Sequence, residues 1–396
     1  MSQVRRIGGL VASAALFLGC QTLVSAQNEA ARVTYESSAS VPTNIAGIRT
    51  FTAPPANFNP LNASEEELAT YGFPPRPDKA TDPSGLAKWN KAMATPTRRW
   101  NGQLRPRPFK NMPMKEAKAP AGVQLTPSVG HTASTGLSFN WSGIVNTNKL
   151  TKYNAKTSYY YIFSEFNVPV AQQAFNGNGG NICDGGWDIA SIWNGIDGFG
   201  SGDVLQGGID SAYYCNGATK QPFYETWIEW YPAGSVYEYA VNPGDDMYVE
   251  TWNTSSTTGF VWIEDLTLQI SAIYSLTAPA GTQLVGNSAE FVVERPCCIT
   301  APGGAVVNYP LANYIANFWD YSGDYTFHGT LGFPGSTAVT TWQLSMVDDA
   351  DDQVISVPNG ITPEDQGQGL TGAGLGGKFS IFFQNENCSY AGGCVE

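Results

Sequence analysis

The chain has 396 residues, of which 42% are hydrophobic and 14% charged, and a formal net charge of −13 at pH 7. This length exceeds that of an average single domain, although all-β domains often exceed about 200 residues. Nucleic acid and anionic membranes are excluded as expected partners, because a chain with this net charge would be repelled by both.

The N-terminus has the pattern of a secretory signal peptide ending at residue 26. A positive start is followed by an apolar run over residues 7–19 and a small-residue cleavage site ending at Ala26. The run is too short to span a bilayer. We therefore expect a secreted protein with no membrane contact after processing. Lipid anchoring through Cys20 is the disfavoured alternative, because Phe17 fits a lipobox poorly.

Charge is divided unevenly along the chain. Residues 1–135 contain 15 Lys or Arg and 8 Asp or Glu, whereas residues 136–396 contain 6 and 26. Few carboxylates of the second part can pair with a cation, so they repel one another at neutral pH. Because protonation relieves that repulsion, we expect the second part to tolerate acid.

Residues 27–135 are predicted to form a basic, poorly structured pro-segment. Their composition is rich in Pro, Ala, Thr and Asn, and the stretch 95–120 carries seven basic side chains and one acid, Glu116. A solvated linker is the alternative. The opposite charge downstream favours a segment that covers its own acidic domain and inhibits it.

Residues 136–396 are predicted to form one all-β domain, a large antiparallel β-sandwich. Many β-branched and aromatic stretches are separated by Gly, Pro, Asn or Asp turns. The clearest five stretches span residues 157–170, 236–253, 259–276, 324–331 and 378–387.

One strand, "SAEFVVE", carries two glutamates. Alternation places Ala289, Phe291 and Val293 on a core face, and Glu290 and Glu294 on the other. Four residues of strand separate the two glutamates by about 13 Å. A chemical partner for either one must therefore come from another strand.

Six cysteines follow the signal sequence, an even number that favours disulfides in a secreted protein. We expect Cys388 to pair with Cys394, and Cys297 and Cys298 to bond elsewhere than to each other. A zinc site is the alternative, but no CxxC pair or neighbouring His supports it. The six are Cys183, Cys215, Cys297, Cys298, Cys388 and Cys394.

Histidine chemistry is poorly supported. The two histidines, His131 and His328, come with no GxSxG motif and no zinc ligands. The Asp-Thr-Gly or Asp-Ser-Gly pair of two-lobed aspartic proteases is absent as well. An enzyme built on this sequence must therefore use carboxylates, amides and aromatic side chains.

Two further stretches are rich in acids. Residues 346–353 are interpreted as a solvated turn rather than a calcium site, because EF-hand spacing is missing. In "YETWIEWYP" one strand face carries Glu225, Trp227, Glu229 and Tyr231. Two acids beside two large aromatics favour the floor of a cleft.

Four motifs in order resemble the glutamic peptidases, also called eqolisins. The resemblance extends from about residue 139 to residue 357. Its motifs are "IWNGIDG" (192–198), "VLQGGID" (204–210), "YETWIEWYP" (224–232) and "AEFVVE" (289–294).

The resemblance implies a lectin-like sandwich of the concanavalin A type with a substrate groove. It implies a secreted acid endopeptidase that cleaves polypeptides, is made as a self-processing proenzyme, and uses no metal or cofactor. We expect a monomer. Gln206 and Glu294 are implied as the catalytic pair. Supporting positions are implied for Trp193, Asp197, Asp210, Trp227, Glu229 and Tyr231.

Two departures from the family pattern limit what can be transferred. Glu225 stands where an Asp is usual, and the cysteines of the fungal members are missing, so their disulfide pairing is not carried over.

The implied chemistry agrees with elementary expectations. A glutamate has an ordinary pKa near about 4.3, so it can still be ionised in mild acid. Glu294 could then remove a proton from the attacking water. The Gln206 amide remains a hydrogen-bond donor at any pH, so it can stabilise the oxyanion that forms.

Two other functions remain open. A non-catalytic module could bind polysaccharide through Trp193, Trp227 and Tyr231, but such a module needs no basic pro-segment. A glycosidase could use a carboxylate pair such as Glu229 and Glu294, but Gln206 would then lack a role.

Overall fold

The structure is a computed structural model that describes residues 40–80, 82–95, 97–117, 134–174, 183, 185–300, 303–326, 331–332, 340–348, 353–359 and 377–384. The signal sequence, both histidines, Cys388, Cys394 and half of the acidic stretch 346–353 lie outside these residues. Within them, no helix has the length and hydropathy of a membrane span.

The described residues form two helices and 22 strands, almost all antiparallel. The helices are α1 (Glu65–Thr70) and α2 (Pro83–Ala94). The strands are β1 (Ser40–Pro42), β2 (Ile48–Phe51), β3 (Arg98–Arg99), β4 (Arg105–Pro106), β5 (Ser134–Ser138), β6 (Trp141–Thr147), β7 (Tyr159–Asn167), β8 (Gly186–Ile196), β9 (Val204–Asn216), β10 (Thr219–Tyr231), β11 (Val236–Ala240), β12 (Asp246–Ser255), β13 (Thr258–Asp265), β14 (Ile270–Thr277), β15 (Ser288–Glu294), β16 (Cys297–Thr300), β17 (Val306–Asn308), β18 (Ala316–Thr326), β19 (Leu331–Gly332), β20 (Thr340–Asp348), β21 (Gln353–Asn359) and β22 (Gly377–Phe383).

The strands form the predicted β-sandwich. The first layer has the order β2-β14-β13-β12-β7-β18-β22. The second has the order β11-β10-β9-β8-β15-β6-β20. β21 pairs with both β20 and β22 and so joins the layers at one side. Each of the five stretches predicted as strands contributes to this sandwich.

Alternating residues fill the core between the layers, as β15 illustrates. Ala289, Phe291 and Val293 belong to this core, whereas Val292 belongs to an apolar cluster on the outer face of the second layer. The predicted division of this strand into two faces is confirmed. Glu290 and Glu294 share the outer face with Val292, yet both are fully buried.

The region before the sandwich has more structure than its composition predicted. α1 begins at Ser64, whose hydroxyl accepts from the Glu67 N–H while the Glu67 carboxylate accepts from the Ser64 N–H. α2 begins at Asp82, which caps the Gly85 N–H, with Pro83 at the first helical position. The expectation of a poorly structured pro-segment is therefore corrected for the described residues between 40 and 117.

The disulfides correct a second expectation. Cys183 bonds to Cys215, and Cys297 bonds to its neighbour Cys298. We expected these adjacent cysteines to bond elsewhere. Once Cys183 and Cys215 have paired, no other cysteine among the described residues is available to either of them.

Candidate active site

The candidate residues lie on the outer face of the second layer, which we call the groove. Gln206 of β9 stands directly opposite Glu229 of β10. Glu294 of β15 stands opposite Ser191 of β8, with Trp193 two residues further along β8. The strand register thus gathers on one face residues that are far apart in the sequence.

The Glu294 carboxylate is surrounded by N–H donors. Trp193 Nε1 donates to Oε2 over 3.0 Å, and Asn140 Nδ2 donates to Oε1 over 3.4 Å. Asn111 Nδ2 and the Met112 backbone N–H donate over 2.8 Å each. Burial raises the pKa of Glu294 well above its ordinary value, while the Met112 N–H opposes that shift. Burial thus favours the neutral acid, although the donors suit a carboxylate.

Glu229 orients the Gln206 amide. Gln206 Nε2 donates to Glu229 Oε2 over 3.0 Å, and the Asn111 backbone N–H reaches the same oxygen over 3.3 Å. Burial raises the pKa of Glu229 to about 8, against the opposing charge of Arg107. An amide NH₂ has two hydrogens, so a second one remains to contact a substrate oxygen.

Asp210 forms a fully buried ion pair with Arg107. The guanidinium is bidentate, with Nε–Oδ2 at 2.8 Å and Nη2–Oδ1 at 2.7 Å. Ser191 Oγ and the Tyr237 hydroxyl each donate to Asp210 over 2.7 Å. The guanidinium also lies 4.5 Å from the Trp227 ring centroid. The planar guanidinium thus donates to both Asp210 carboxylate oxygens while it lies against the Trp227 ring.

Arg107, Asn111 and Met112 belong to one extended segment, residues 105–117, which we call the strap. Its first strand, β4, pairs with β11 at the edge of the second layer. Phe109 and Met114 pack into the apolar cluster of the groove. The strap thus contacts Asp210, Glu229 and Glu294 at once, within the basic stretch that was predicted to cover the acidic domain.

Asp197 lies away from these contacts. It accepts backbone N–H groups of Val285, Gly286 and Asn287 at 2.5, 2.9 and 2.9 Å. Burial raises its pKa to about 6. Asp197 therefore fixes the turn that leads into β15.

The other candidate residues lie at the edge of the groove or in its buried interior. Glu225 pairs with Arg105 of the strap. Tyr231 is half-buried at the end of β10. Glu290 is fully buried, and burial raises its pKa well above its ordinary value. Among the described residues, no group of three His, Cys, Asp or Glu side chains is placed to hold a metal ion.

Several residues of the site were not predicted from the sequence. Asn140 lies in "FNWSG", at the start of the resemblance, and Ser191 immediately precedes the first motif. Tyr237 belongs to a predicted strand with no functional mark. Arg107 belongs to the basic stretch, but no local pattern distinguishes it or Asn111 from their neighbours.

Comparison with known proteins defines the class. The Peptidase A4 family matches residues 139–351, more than half of the chain. The chain belongs to this family, and the resemblance to the glutamic peptidases is confirmed. The match begins after the strap.

Two curated relatives are similar over shorter spans. Aspergillopepsin-2 of Aspergillus niger is 29% identical over 177 residues, covering 41% of this chain and 58% of that protein. Scytalidopepsin B of Scytalidium lignicola is 30% identical over 131 residues, covering 32% and 44%. The chain thus spans about half the length of these relatives.

A solved structure of scytalido-glutamic peptidase with a transition state analog inhibitor has a TM-score of 0.45 at 20% identity. The match covers 62% of this chain and 98% of the chain in that solved structure. Family membership rests on the sequence match and not on this likeness.

Proposed function

We propose that the protein is a secreted acid endopeptidase that hydrolyses peptide bonds in polypeptides and is made as a proenzyme. The observation that carries this proposal is the groove itself. Glu294, held by Trp193 and Asn140, shares one sheet face with a Gln206 amide that Glu229 orients. The signal-like N-terminus supports export.

The chemistry requires only these side chains and water. Ionised Glu294 removes a proton from water while the water oxygen bonds to the scissile carbonyl carbon. The carbonyl electrons move to its oxygen, to which the Gln206 amide donates, an interaction worth about 3 kcal/mol. Glu294 then returns the proton to the leaving nitrogen while the oxyanion electrons re-form the C=O bond and the C–N bond breaks, which releases a carboxylic acid and an amine. Trp193 and Glu229 act by positioning these two residues.

Substitution of the catalytic pair tests this proposal. Each variant is treated with immobilised pepsin, which is then removed, and assayed on a denatured protein at about pH 4. Glu294→Gln should lose about 10²–10⁴-fold in kcat/KM, and Gln206→Ala about 10²–10³-fold. Glu290→Gln, on the same face of the same strand, is the matched control and should keep its activity. Full activity in folded Glu294→Gln or Gln206→Ala would refute the assignment.

The two other functions gain no support from the geometry. Trp193 is fully buried and donates to Glu294, and Trp227 packs against the Arg107 guanidinium. Neither forms the exposed platform that a polysaccharide module requires. For a glycosidase, the contact between Glu229 and Gln206 would have no purpose.

The strap is the proposed inhibitor of this site. Asn111 donates to carboxylates on both sides of the groove, from its side-chain amide to Glu294 and from its backbone N–H to Glu229. A strap in this position excludes water and substrate from Glu294. Burial also favours the neutral form of Glu294, which cannot act as a base.

The strap contacts the carboxylates of the groove in two ways. Burial raises the pKa values of Glu229 and Glu294, whereas groups of the strap oppose the rise: Arg107 and the Asn111 N–H at Glu229, and the Met112 N–H at Glu294. Arg107 and Arg105 also form ion pairs with Asp210 and Glu225. These contacts favour ionised carboxylates, so protonation of the groove weakens them. Inhibition should therefore weaken as pH falls from about 7 to about 3.5.

A synthetic peptide of residues 105–117 tests this mechanism. Its inhibition constant for the processed enzyme should rise as pH falls from about 6 to about 3.5, where carboxylates take up protons. A scrambled peptide of the same composition controls for charge alone. Equal inhibition by both peptides, or none by either, would exclude the strap as the specific inhibitor.

A further inference from the structure

The N-terminal region also covers the side of the sandwich opposite the groove. We call residues 40–104 the anchor, which ends where the strap begins. Its last residue is held by Asn44, whose Nδ2 donates to the Leu104 carbonyl over 2.8 Å while Oδ1 accepts the Leu104 N–H over 3.0 Å. The anchor and the strap are thus consecutive segments separated by a fixed point.

The anchor completes the first layer through backbone hydrogen bonds. β2 pairs antiparallel with the outer edge of β14, placing Thr50 opposite Tyr274. Thr50 Oγ1 also donates to the Ile273 carbonyl over 2.9 Å. β3 pairs in parallel with the same edge. Removal of the anchor would leave β14 as an unpaired edge strand, which native proteins avoid.

An aromatic surface lies beneath the anchor. The Phe73 and Trp262 rings are 5.2 Å apart, and the Arg99 guanidinium lies 4.9 Å from the Trp262 ring. Exposed apolar patches larger than a few hundred Å² are rare in soluble proteins. The sandwich contributes eight side chains to this surface: Tyr161, Phe163, Tyr248, Trp252, Phe260, Trp262, Ile273 and Tyr325. The anchor covers them with eight of its own: Phe51, Ala63, Leu68, Ala69, Phe73, Trp89, Ala92 and Met93.

Ion pairs surround this apolar contact. Lys88 Nζ lies 3.0 Å from Glu165 and 2.5 Å from Asp320. Lys91 Nζ lies 2.8 Å from Glu165 and 3.9 Å from Asp246. These contacts weaken in acid, but they form only the rim of the surface.

The carboxyl groups at the centre of the aromatic surface respond to acid in the opposite way. Glu250 accepts from the Tyr248 hydroxyl, and Glu264 accepts from Trp262 Nε1 over 3.1 Å. Both are fully buried, and burial raises the pKa of Glu250 to about 8. In acid these groups are neutral, which suits an apolar cover. Arg99 is the cation that faces this centre.

We propose that the anchor is a permanent part of the working enzyme and that only the strap leaves the groove. A chain cut between the anchor and the sandwich then remains a two-chain protein. The proposal rests on the proposed function only for the acid conditions under which the strap leaves.

Hydrogen exchange tests the proposal without any cleavage. Full-length Glu294→Gln protein is compared at about pH 7 and about pH 3.5, as protection factors that correct for intrinsic rates. Strap amides such as Met112 and Met114 should lose at least about 10-fold in protection. Amides of β2 and α2 should change by less than about 3-fold. Equal loss in anchor and strap, or a strap that stays protected, would overturn the proposal.

Cleavage provides the second measurement. The same variant is cut with immobilised pepsin at about pH 4 and run on size exclusion, with mass spectrometry of the peak. A fragment containing residues 40–95 should elute with the sandwich and separate only in denaturant. A folded sandwich that elutes alone would refute the proposal. Because pepsin supplies the cleavage, an inactive wild-type protein would refute the peptidase assignment but leave this test intact.

Discussion

The anchor and the strap bind the same sandwich through different chemistry. The anchor adds strands to a sheet edge and covers aromatic side chains, with its ion pairs at the rim. The strap contacts the groove through hydrogen bonds and ion pairs to carboxylates and through the apolar side chains of Phe109 and Met114. Its backbone pairings are short, as between β4 and β11 and between Lys110 and Cys297. Apolar burial does not depend on pH, whereas carboxylate contacts do. Consecutive segments can therefore respond differently to the same acid.

The largest effect should come from the buried ion pair of the strap. Arg107→Ala in the peptide 105–117 leaves Asp210 without its cation, a loss of about 3–5 kcal/mol. The inhibition constant at about pH 5 should rise by about 10²-fold to 4 × 10³-fold. Arg105→Ala is the matched control, because Arg105 is more than half exposed, and it should cost about fivefold or less. Similar losses for both peptides would show that the strap binds by total charge.

Truncation of a large apolar side chain should destabilise the anchor, by less than Arg107→Ala weakens the binding of the strap. Phe73→Ala removes a buried ring that packs against Trp262 and Arg99, at a cost of about 3 kcal/mol. Hydrogen exchange of β2 and α2 amides in the Glu294→Gln protein should quicken by about 10²-fold. Strap amides should be unaffected, since Phe73 packs in the apolar cluster of the anchor with Trp262, on the side of the sandwich opposite the groove. If strap exchange also quickened, the two segments would be one cooperative unit.

The folded protein should become more stable as pH falls from about 8.5 to about 5. Burial raises the pKa of Glu238, Glu250 and Asp324 to about 8 each. A carboxyl with a raised pKa stabilises the fold fully below its unfolded pKa, and that stability is lost as pH rises through about 8. The Tm of the Glu294→Gln protein should be about 5 °C or more higher at pH 5 than at pH 8.5.

Glu238 provides the control for this pH dependence. It lies on β11, where Thr226 Oγ1 donates to it over 3.4 Å. Glu238→Gln in the same background should narrow the Tm difference between the two pH values. A Tm that falls on acidification would show that the ion pairs of the protein outweigh its buried acids.

The smallest effect should come from the rim of the anchor. Lys91→Ala removes a half-exposed lysine, and Glu165 keeps its contact with Lys88. The loss should be about 1 kcal/mol or less, seen as up to about fivefold faster exchange in α2. An effect as large as that of Phe73→Ala would mean that charge, not apolar burial, holds the anchor.

The sequence allowed some of these features to be predicted. Period-two alternation is a local property, so it assigned the two faces of β15 correctly. The start of α2 also has a local pattern, Asp82 followed by Pro83, but the proline-rich composition of the region obscured it. The Cys297–Cys298 bond could not be predicted, because the spacing of cysteines in the sequence does not show which of them lie close together in the fold.

The contacts of the strap could not be predicted from the sequence in this way. Asn111 contacts Glu294 and Glu229 only because the chain passes from β4 across three strands of the second layer. That path is set by tertiary packing, and Asn111 carries no distinguishing pattern. The basic composition predicted that this segment would be attracted to the acidic domain. Which of its residues make the contacts depended on the fold.

The clamp between Asn44 and Leu104 has a kinetic consequence. While the chain remains intact at that point, a strap that has left the groove stays tethered beside it. Short flexible tethers give effective concentrations in the millimolar range. Rebinding is then unimolecular, so dilution of the protein does not relieve inhibition. A single cut between Leu104 and Arg105 does not change this, because the chain still joins the strap to β5 at its other end. Activation therefore becomes irreversible only after the chain has been cut on both sides of the strap.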